Sequence, residues 1–339
     1  MQGKVAALGA GSWGTTVAGL ASHKASTVLW AREDGLAEEI NEKHTNSMFL
    51  PDVTLPSELR ASQSIEEVLA DASAVIVGVP SPYYRAVLGD ARKYFPPGVP
   101  ILNLTKGLEV GSLRRMTEIL AELLPDSPAG VLSGPNLAKE IAAGGPAATV
   151  VAFADQDLAQ QFQQLLGSST FRVYTNPDVI GCEMGGVLKN VIAIATGLAD
   201  GLELGDNSRA ALVTRGLAEV TRLGVALGGE PLTFLGLAGV GDLVVTCMSP
   251  KSRNHSVGVQ LGQGRTLDEI IAEMNMIAEG VKSSLAVVEL AGRVGVDVPI
   301  ASQVVEVLHH GRSPRDALSA LMEREMKSEL HGMPPAAAY

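Results

Sequence analysis

Lys189 stands in Gly181-Cys182-Glu183-Met184-Gly185-Gly186-Val187-Leu188-Lys189-Asn190-Val191, a stretch apolar on every side of a helix. A helix without a polar face is a buried helix, and an ammonium ion inside one is costly, so this amine needs a charged partner or a lowered pKa. A lysine brought towards neutrality can protonate a ketone oxygen or take the proton of a carbinol, the acid–base half of a hydride transfer. Helical side chains lean over the residues three and four back, here Gly186 and Gly185, so open space is expected in front of the amine for a small substrate and a hydride donor. The plainer alternative is a lysine that buries its stem and carries its amine to the surface.

The candidate partner is Asp242, an acid set between glycines and an apolar run in Leu237-Ala238-Gly239-Val240-Gly241-Asp242-Leu243. Its alternative role is to cap the following turn. Close by in sequence, Lys251, Arg253 and His255 cluster in a loop without an acid. The planar fork of Arg253 and the amide of Asn254 suit phosphate oxygens, which points to a phosphorylated substrate; a solvated basic loop is the alternative. Two further turns carry glycine and polar groups, Leu104-Thr105-Lys106-Gly107 and Ser133-Gly134-Pro135-Asn136. There Lys106 can approach cofactor and substrate, and Gly134 and Asn136 can present backbone and amide groups.

A cofactor is implied by Gly9-Ala10-Gly11-Ser12-Trp13-Gly14, which follows the first apolar run and opens a helix-like segment. Gly9 permits the tight turn, Gly11 lets the backbone approach a pyrophosphate and Gly14 allows close packing of helix on strand. The helix start offers free N–H groups to the phosphates. Trp13 either packs on the helix or covers the cofactor. At the tip of the second strand an acid would bind a ribose 2′-hydroxyl and an arginine a 2′-phosphate. Arg32 stands there and favours NADP slightly over NAD, with Glu33 opposing it.

These residues need a frame, and the first half of the chain supplies one. Short apolar runs at Val5–Leu8, Thr27–Trp30, Ala74–Val79, Pro100–Leu104, Gly130–Leu132 and Thr149–Phe153 alternate with helical patterns at Ser64–Ala70, Ser81–Tyr94 and Gly111–Leu124. That alternation predicts an α/β, doubly wound, mostly parallel sheet of Rossmann type, with ligands at the carboxyl ends of the strands. Beyond Tyr174 strand-like runs cease and helical spacing takes over. Asn176 as N-cap, Pro177 in the first turn and Asp178 behind it mark the change. The expected domains are 1–176 for the dinucleotide, an all-helical substrate and catalytic domain at 177–330, and a tail at 331–339.

Of 339 residues 37 are acidic and 26 basic, a formal charge of −11, and no basic run is interleaved with aromatics. This argues against nucleic-acid binding and requires any anionic ligand to be held by a few local cations. Cys182 and Cys247 are too few for a disulfide framework, and the six histidines form no metal-spaced pair, so no metal is expected. No signal peptide or unbroken apolar stretch of about 18 residues is found, and a cytoplasmic setting is expected. The longest apolar segment, Val179–Leu198, reads as a buried helix.

Taken in order, GAGSWG at 9–14, TKGLE at 105–109, SGPN at 133–136, GGVLKN at 185–190, GLAGVGDL at 236–243, SPKSRN at 249–254 and AEG at 278–280 resemble the bacterial NAD(P)-dependent glycerol-3-phosphate dehydrogenases. The resemblance runs from residue 4 to about 320. It implies reversible reduction of dihydroxyacetone phosphate to sn-glycerol 3-phosphate for glycerophospholipid synthesis. It makes Lys189 the proton donor and acceptor, with Asp242 orienting it, and Lys106, Gly134, Asn136, Asp242, Ser252, Arg253 and Asn254 the substrate set. The implied cofactor set is Ser12, Trp13, Arg32, Phe49, Lys106, Ala138, Arg253, Ile277 and Glu279, beside the glycines of the first turn. The family often has a second basic residue after the position of Arg32; Glu33 departs from that pattern and leaves NAD against NADP open, and a homodimer is likewise left open. Competing readings are a dehydrogenase of similar plan acting on β-hydroxyacids through a catalytic lysine, and a nicotinamide-binding sensor that does no chemistry. The sensor would leave Lys189 and Asp242 unexplained.

Overall fold

The first strand, β1 (Lys4–Leu8), shows why the sheet must be covered twice. Val5 and Ala7 face one buried apolar layer, and Ala6 and Leu8 face another. Continuous rather than alternating hydrophobicity is what a strand buried on both faces requires. A computed structural model describes residues 3–274 and 278–329. In it, β1, β2 (Thr27–Trp30), β3 (Arg60–Ser62), β4 (Ala72–Val77), β5 (Ile101–Asn103), β6 (Ala129–Ser133), β7 (Ala147–Ala152) and β8 (Phe171–Asn176) form one sheet in the order β3-β2-β1-β4-β5-β6-β7-β8. Pairing is parallel except between β6 and β7.

Helices α1 (Ser12–Ser22), α2 (Leu36–Lys43), α3 (Ile65–Leu69), α4 (Tyr84–Ala91), α5 (Met116–Leu123), α6 (Ala138–Ala142) and α7 (Gln156–Leu166) lie among these strands in the chain. Val17, Ile40 and Phe162 bring α1, α2 and α7 onto the first apolar layer, while Val68, Leu88 and Ile119 bring α3, α4 and α5 onto the other. This is the doubly wound plan. Strand order reverses between β1 and β4, the crevice where such sheets bind their ligands.

The structure departs from the sequence reading at several edges. Strand β3 is three residues long, too short to carry a pattern, and is held by Asn41, whose side chain exchanges two 2.9 Å hydrogen bonds with the backbone of Ala61. Strand β8 alternates buried Phe171 and Val173 with exposed Arg172 and Tyr174, a half-buried edge instead of an apolar run. The helix expected from Gly111 begins at Met116, because Gly111 and Leu113 take φ of +90° and +62° and Leu108 bridges to Arg115.

The chain divides into two units, one reaching to Glu109 and including Arg114–Val179, the other holding Val110–Leu113 and the chain from Ile180 on. The second is helical: α8 (Val179–Gly201), α9 (Asp206–Ala226), α10 (Asp242–Met248), α11 (Arg253–Gly262), α12 (Leu267–Glu273), α13 (Glu279–Arg293), α14 (Pro299–His309) and α15 (Pro314–Met322). Asn176 accepts the Asp178 N–H at 2.8 Å just ahead of α8. Every residue from Gly181 to Ala199 is buried, so α8 is long and apolar enough to cross a membrane yet 89% of its apolar window lies inside the protein. Glu219 on α9 is also buried, and its carboxylate accepts the N–H groups of Ile300 and Ala301 at 2.7 and 3.2 Å, closing the start of α14. The expected tail lies outside the described residues.

Candidate functional site

In the first unit the glycine turn is built from the backbone outward. Gly9 has φ +108°, and a Cβ there would stand 2.8 Å from the Gly78 carbonyl oxygen, just beyond β4. A Cβ on Gly14 would overlap the Gly9 carbonyl. Gly11 is different, since a Cβ there would meet nothing within 4 Å, and the helix it opens has no side-chain cap. Open space before an uncapped helix start fits a pyrophosphate.

Asn46 fixes this turn to the chain that follows, and sequence reasoning missed it. It is fully buried, donates to the Ala10 carbonyl at 2.8 Å and to Thr15 Oγ1 at 2.9 Å, and accepts the Phe49 N–H at 3.0 Å. Trp13, Phe49 and Ala138 all pack, partly buried, against the apolar layer that contains α1. Trp13 Nε1 is buried without a hydrogen-bond partner. Ser12 begins α1 and is half-buried. Arg32 is exposed, and its guanidinium lies 3.3 Å from Glu33.

The next two turns meet at the ends of β5 and β6. Asn103 braces the first by bonding Thr105 through both its amide and its carbonyl, at 2.9 and 3.0 Å. Lys106 Nζ donates to the Gly134 carbonyl at 3.2 Å. Asn136 donates to Thr149 Oγ1 at 3.0 Å, and its own Oδ1 and Ser133 Oγ are buried without partners. Lys106, Gly134 and Asn136 are thereby brought to one place.

In the second unit Lys189 is buried and donates to Asp242 Oδ1 and, at 2.8 Å, to Thr246 Oγ1. Asp242 is fully buried at the start of α10, and Thr246, one turn on, donates to its backbone carbonyl at 2.7 Å. Thr246 was not foreseen; its place four residues after Asp242 was the available signal. The amine is therefore paired and does not snorkel. The expected clearance is corrected at Gly185, where a Cβ would overlap the Ala238 carbonyl. This glycine serves the contact of α8 with the π-turn Leu237–Gly241 that delivers Asp242.

The basic loop is corrected too. Ser252 caps α11 by accepting the His255 N–H at 3.3 Å, so Arg253, Asn254 and His255 form a first helical turn. His255 Nε2 lies 2.8 Å from Asp200, which takes His255 away from the anion set and supplies an acid the local sequence did not show. Arg253 and Lys251 are exposed. Asn254 is buried, donating to Asn190 Oδ1 at 3.0 Å and accepting the Gly280 N–H at 2.9 Å. Glu279, beside Gly280, opens α13; Ile277 lies outside the described residues. Cys247 is buried, and burial pushes its thiol up to about 12, which makes it a packing residue. No group of three or more His, Cys, Asp or Glu able to hold a metal occurs among the described residues.

Comparison with known proteins places both halves. Family models described as the N-terminus and the C-terminus of NAD-dependent glycerol-3-phosphate dehydrogenase match residues 4–159 and 178–319. The chain is 53% identical over 331 residues to glycerol-3-phosphate dehydrogenase [NAD(P)+] 2 of Sphingopyxis alaskensis, covering 98% of this chain and 99% of that one. Glycerol-3-phosphate dehydrogenase [NAD(P)+] of Streptomyces griseus is 50% identical over 329 residues, covering 96% and 98%. Among solved structures, the glycerol-3-phosphate dehydrogenase of Coxiella burnetii superposes with a TM-score of 0.91 at 37% identity, covering 95% of this chain and 99% of that one. The chain belongs to the NAD-dependent glycerol-3-phosphate dehydrogenase family.

Proposed function

We propose that this protein is an NAD(P)-dependent glycerol-3-phosphate dehydrogenase that reversibly reduces dihydroxyacetone phosphate to sn-glycerol 3-phosphate, in the cytoplasm, for glycerophospholipid synthesis. The observation that carries it is the buried Lys189–Asp242–Thr246 cluster within an apolar helical core. Burying such a cluster costs stability, and a role in chemistry accounts for its presence.

In this reading Gly9, Gly11 and Gly14 shape the cradle for the dinucleotide, Ser12 opens the helix over its phosphates, and Trp13, Phe49 and Ala138 line it. A bound reduced nicotinamide supplies hydride to the ketone carbon. Lys189 gives its proton to the ketone oxygen, or takes it from the carbinol in the reverse direction. Asp242 and Thr246 fix the direction of the amine. Arg253, Asn254 and Ser252 hold the phosphate, and Lys106, Gly134 and Asn136 complete the substrate set. Glu279 and Ile277 complete the cofactor set. Arg32 reads the 2′-phosphate of NADP against the charge of Glu33.

The test is an initial-rate assay at the nicotinamide absorbance band, with dihydroxyacetone phosphate and then a β-keto acid as substrate, each with NADH and with NADPH. Turnover of the phosphorylated ketone alone is expected. Lys189→Ala should lower kcat by about 10²–10⁴-fold, the usual worth of a positioned acid–base group, while cofactor affinity is kept. Preference for the carboxylate substrate would overturn the reading, as would wild-type turnover by the lysine variant.

A further inference from the structure

Helices α8 and α11 run in the same direction, since their partners rise together: Asn190 with Asn254, Ile194 with Gly258, Leu198 with Gly262. At the glycines of this crossing backbone meets backbone. A Cβ on Gly197 would overlap the His255 carbonyl oxygen, one on Gly201 that of Val259, and one on Gly258 that of Ile194. At Gly262 it would come within 2.6 Å of the Leu198 carbonyl oxygen. Side-chain interfaces adjust by changing rotamers, but a backbone-on-backbone contact has none to change.

Polar ties hold the crossing at its ends. Asn254 donates to Asn190 at 3.0 Å on the upstream side. Further along, His255 Nε2 meets Asp200 at 2.8 Å, and Arg209 of α9 donates to the same carboxylate at 2.9 Å. His255 Nδ1 is buried without a partner, so the link to Asp200 is what holds the ring. Asn190 adjoins Lys189 and Asn254 adjoins Arg253. The crossing therefore sets how far the proton-handling amine stands from the turn that would hold the phosphate.

We propose that the glycine-faced crossing of α8 and α11 is a ruler for the carbonyl-to-phosphate spacing of the substrate, with Gly197 and Gly258 as its specificity-determining residues and His255–Asp200 as the tie that keeps it closed. The proposal rests on the roles given above to Lys189 and Arg253. Dihydroxyacetone phosphate has one methylene between its carbonyl carbon and its ester oxygen. A homologue with a second methylene cannot place its carbonyl at Lys189 and its phosphate at Arg253 together.

The experiment compares kcat/KM for dihydroxyacetone phosphate and for that homologue. Wild-type enzyme should favour the shorter substrate by roughly 10–200-fold, the range one methylene is worth in a fitted site. In Gly258→Ala the added methyl must part the helices. Activity on the shorter substrate should fall by about 10²-fold, as for a misplacement of about 1 Å, and the preference should drop below about tenfold. Gly292→Ala, on α13 where a Cβ meets nothing within 4 Å, should change neither. Should Gly258→Ala fail to fold, His255→Ala loosens the crossing without adding an atom. It should narrow the preference about threefold to fivefold with NADPH affinity unchanged, and His255→Gln, which keeps a donor for Asp200, should restore it. A folded Gly258→Ala or a His255→Ala enzyme that keeps the wild-type preference overturns the ruler. Absence of any turnover of dihydroxyacetone phosphate by wild-type enzyme overturns instead the reading beneath it.

Discussion

Lys189 and Asp242 show how residue type alone can announce a site. A lysine in an all-apolar helix demanded a partner, the one acid between glycines and an apolar run was the candidate, and the two are joined. Asn46 and the tie of His255 to Asp200 were hidden for a different reason. Each depends on a side chain brought from another element, and His255, read within its own short loop, looked like one more cation. Arg32 offers a prediction at this scale. Its guanidinium is exposed and shared with Glu33, so the hold on a 2′-phosphate proposed for it would be partial. Arg32→Ala should raise KM for NADPH about tenfold, the worth of one charge-assisted contact near the surface, and leave KM for NADH nearly unchanged. Equal rises for both cofactors would refute a role in reading the phosphate.

Elements were legible where a pattern was long. The strands of the first layer and the apolar α8 announce themselves, whereas three-residue β3 depends on Asn41 and the start of α5 on the left-handed backbone at Leu113. Glu219 is the clearest miss. In the sequence it is one acid among the polar residues of a helix, and its backbone partners come from α14, far along the chain. Burial pushes its carboxyl up from 4.5 to about 7; the N–H groups of Ile300 and Ala301 and the charge of Arg222 pull it back, and Asp297 adds to the rise. Because the folded value is raised, folding favours the protonated acid. That contribution is complete below about pH 4.5 and is lost as pH rises through about 7. Relative to Glu219→Gln, the wild type should lose about 2 kcal/mol of stability between about pH 5.5 and 8.5, read from urea midpoints at both pH values. Parallel curves for the two proteins would remove Glu219 as the source.

Over the whole molecule, a formal charge of −11 leaves the proposed anionic ligands to a small set of cations, and the glycine turn proposed for the dinucleotide lies in the unit that holds the sheet. Cofactor binding should therefore register as stability of the unit that holds the sheet. NADPH at about a hundred times its Kd should add about 2.7 kcal/mol. Gly11→Leu, whose Cβ would meet nothing within 4 Å at an unstrained φ of −63°, should melt like the wild type without ligand and lose the shift with it. A retained shift would show that the cofactor does not approach there. The buried α8 carries a last consequence, for the newborn chain. Its 23 apolar-rich residues leave the ribosome before the Ala238 backbone, α11 and α13 that will enclose them have been made. At roughly 5–20 residues per second, the wait for α13 lasts on the order of 5–20 s. Throughout it a segment with the length and hydropathy of a membrane span has not yet met the backbone that buries it.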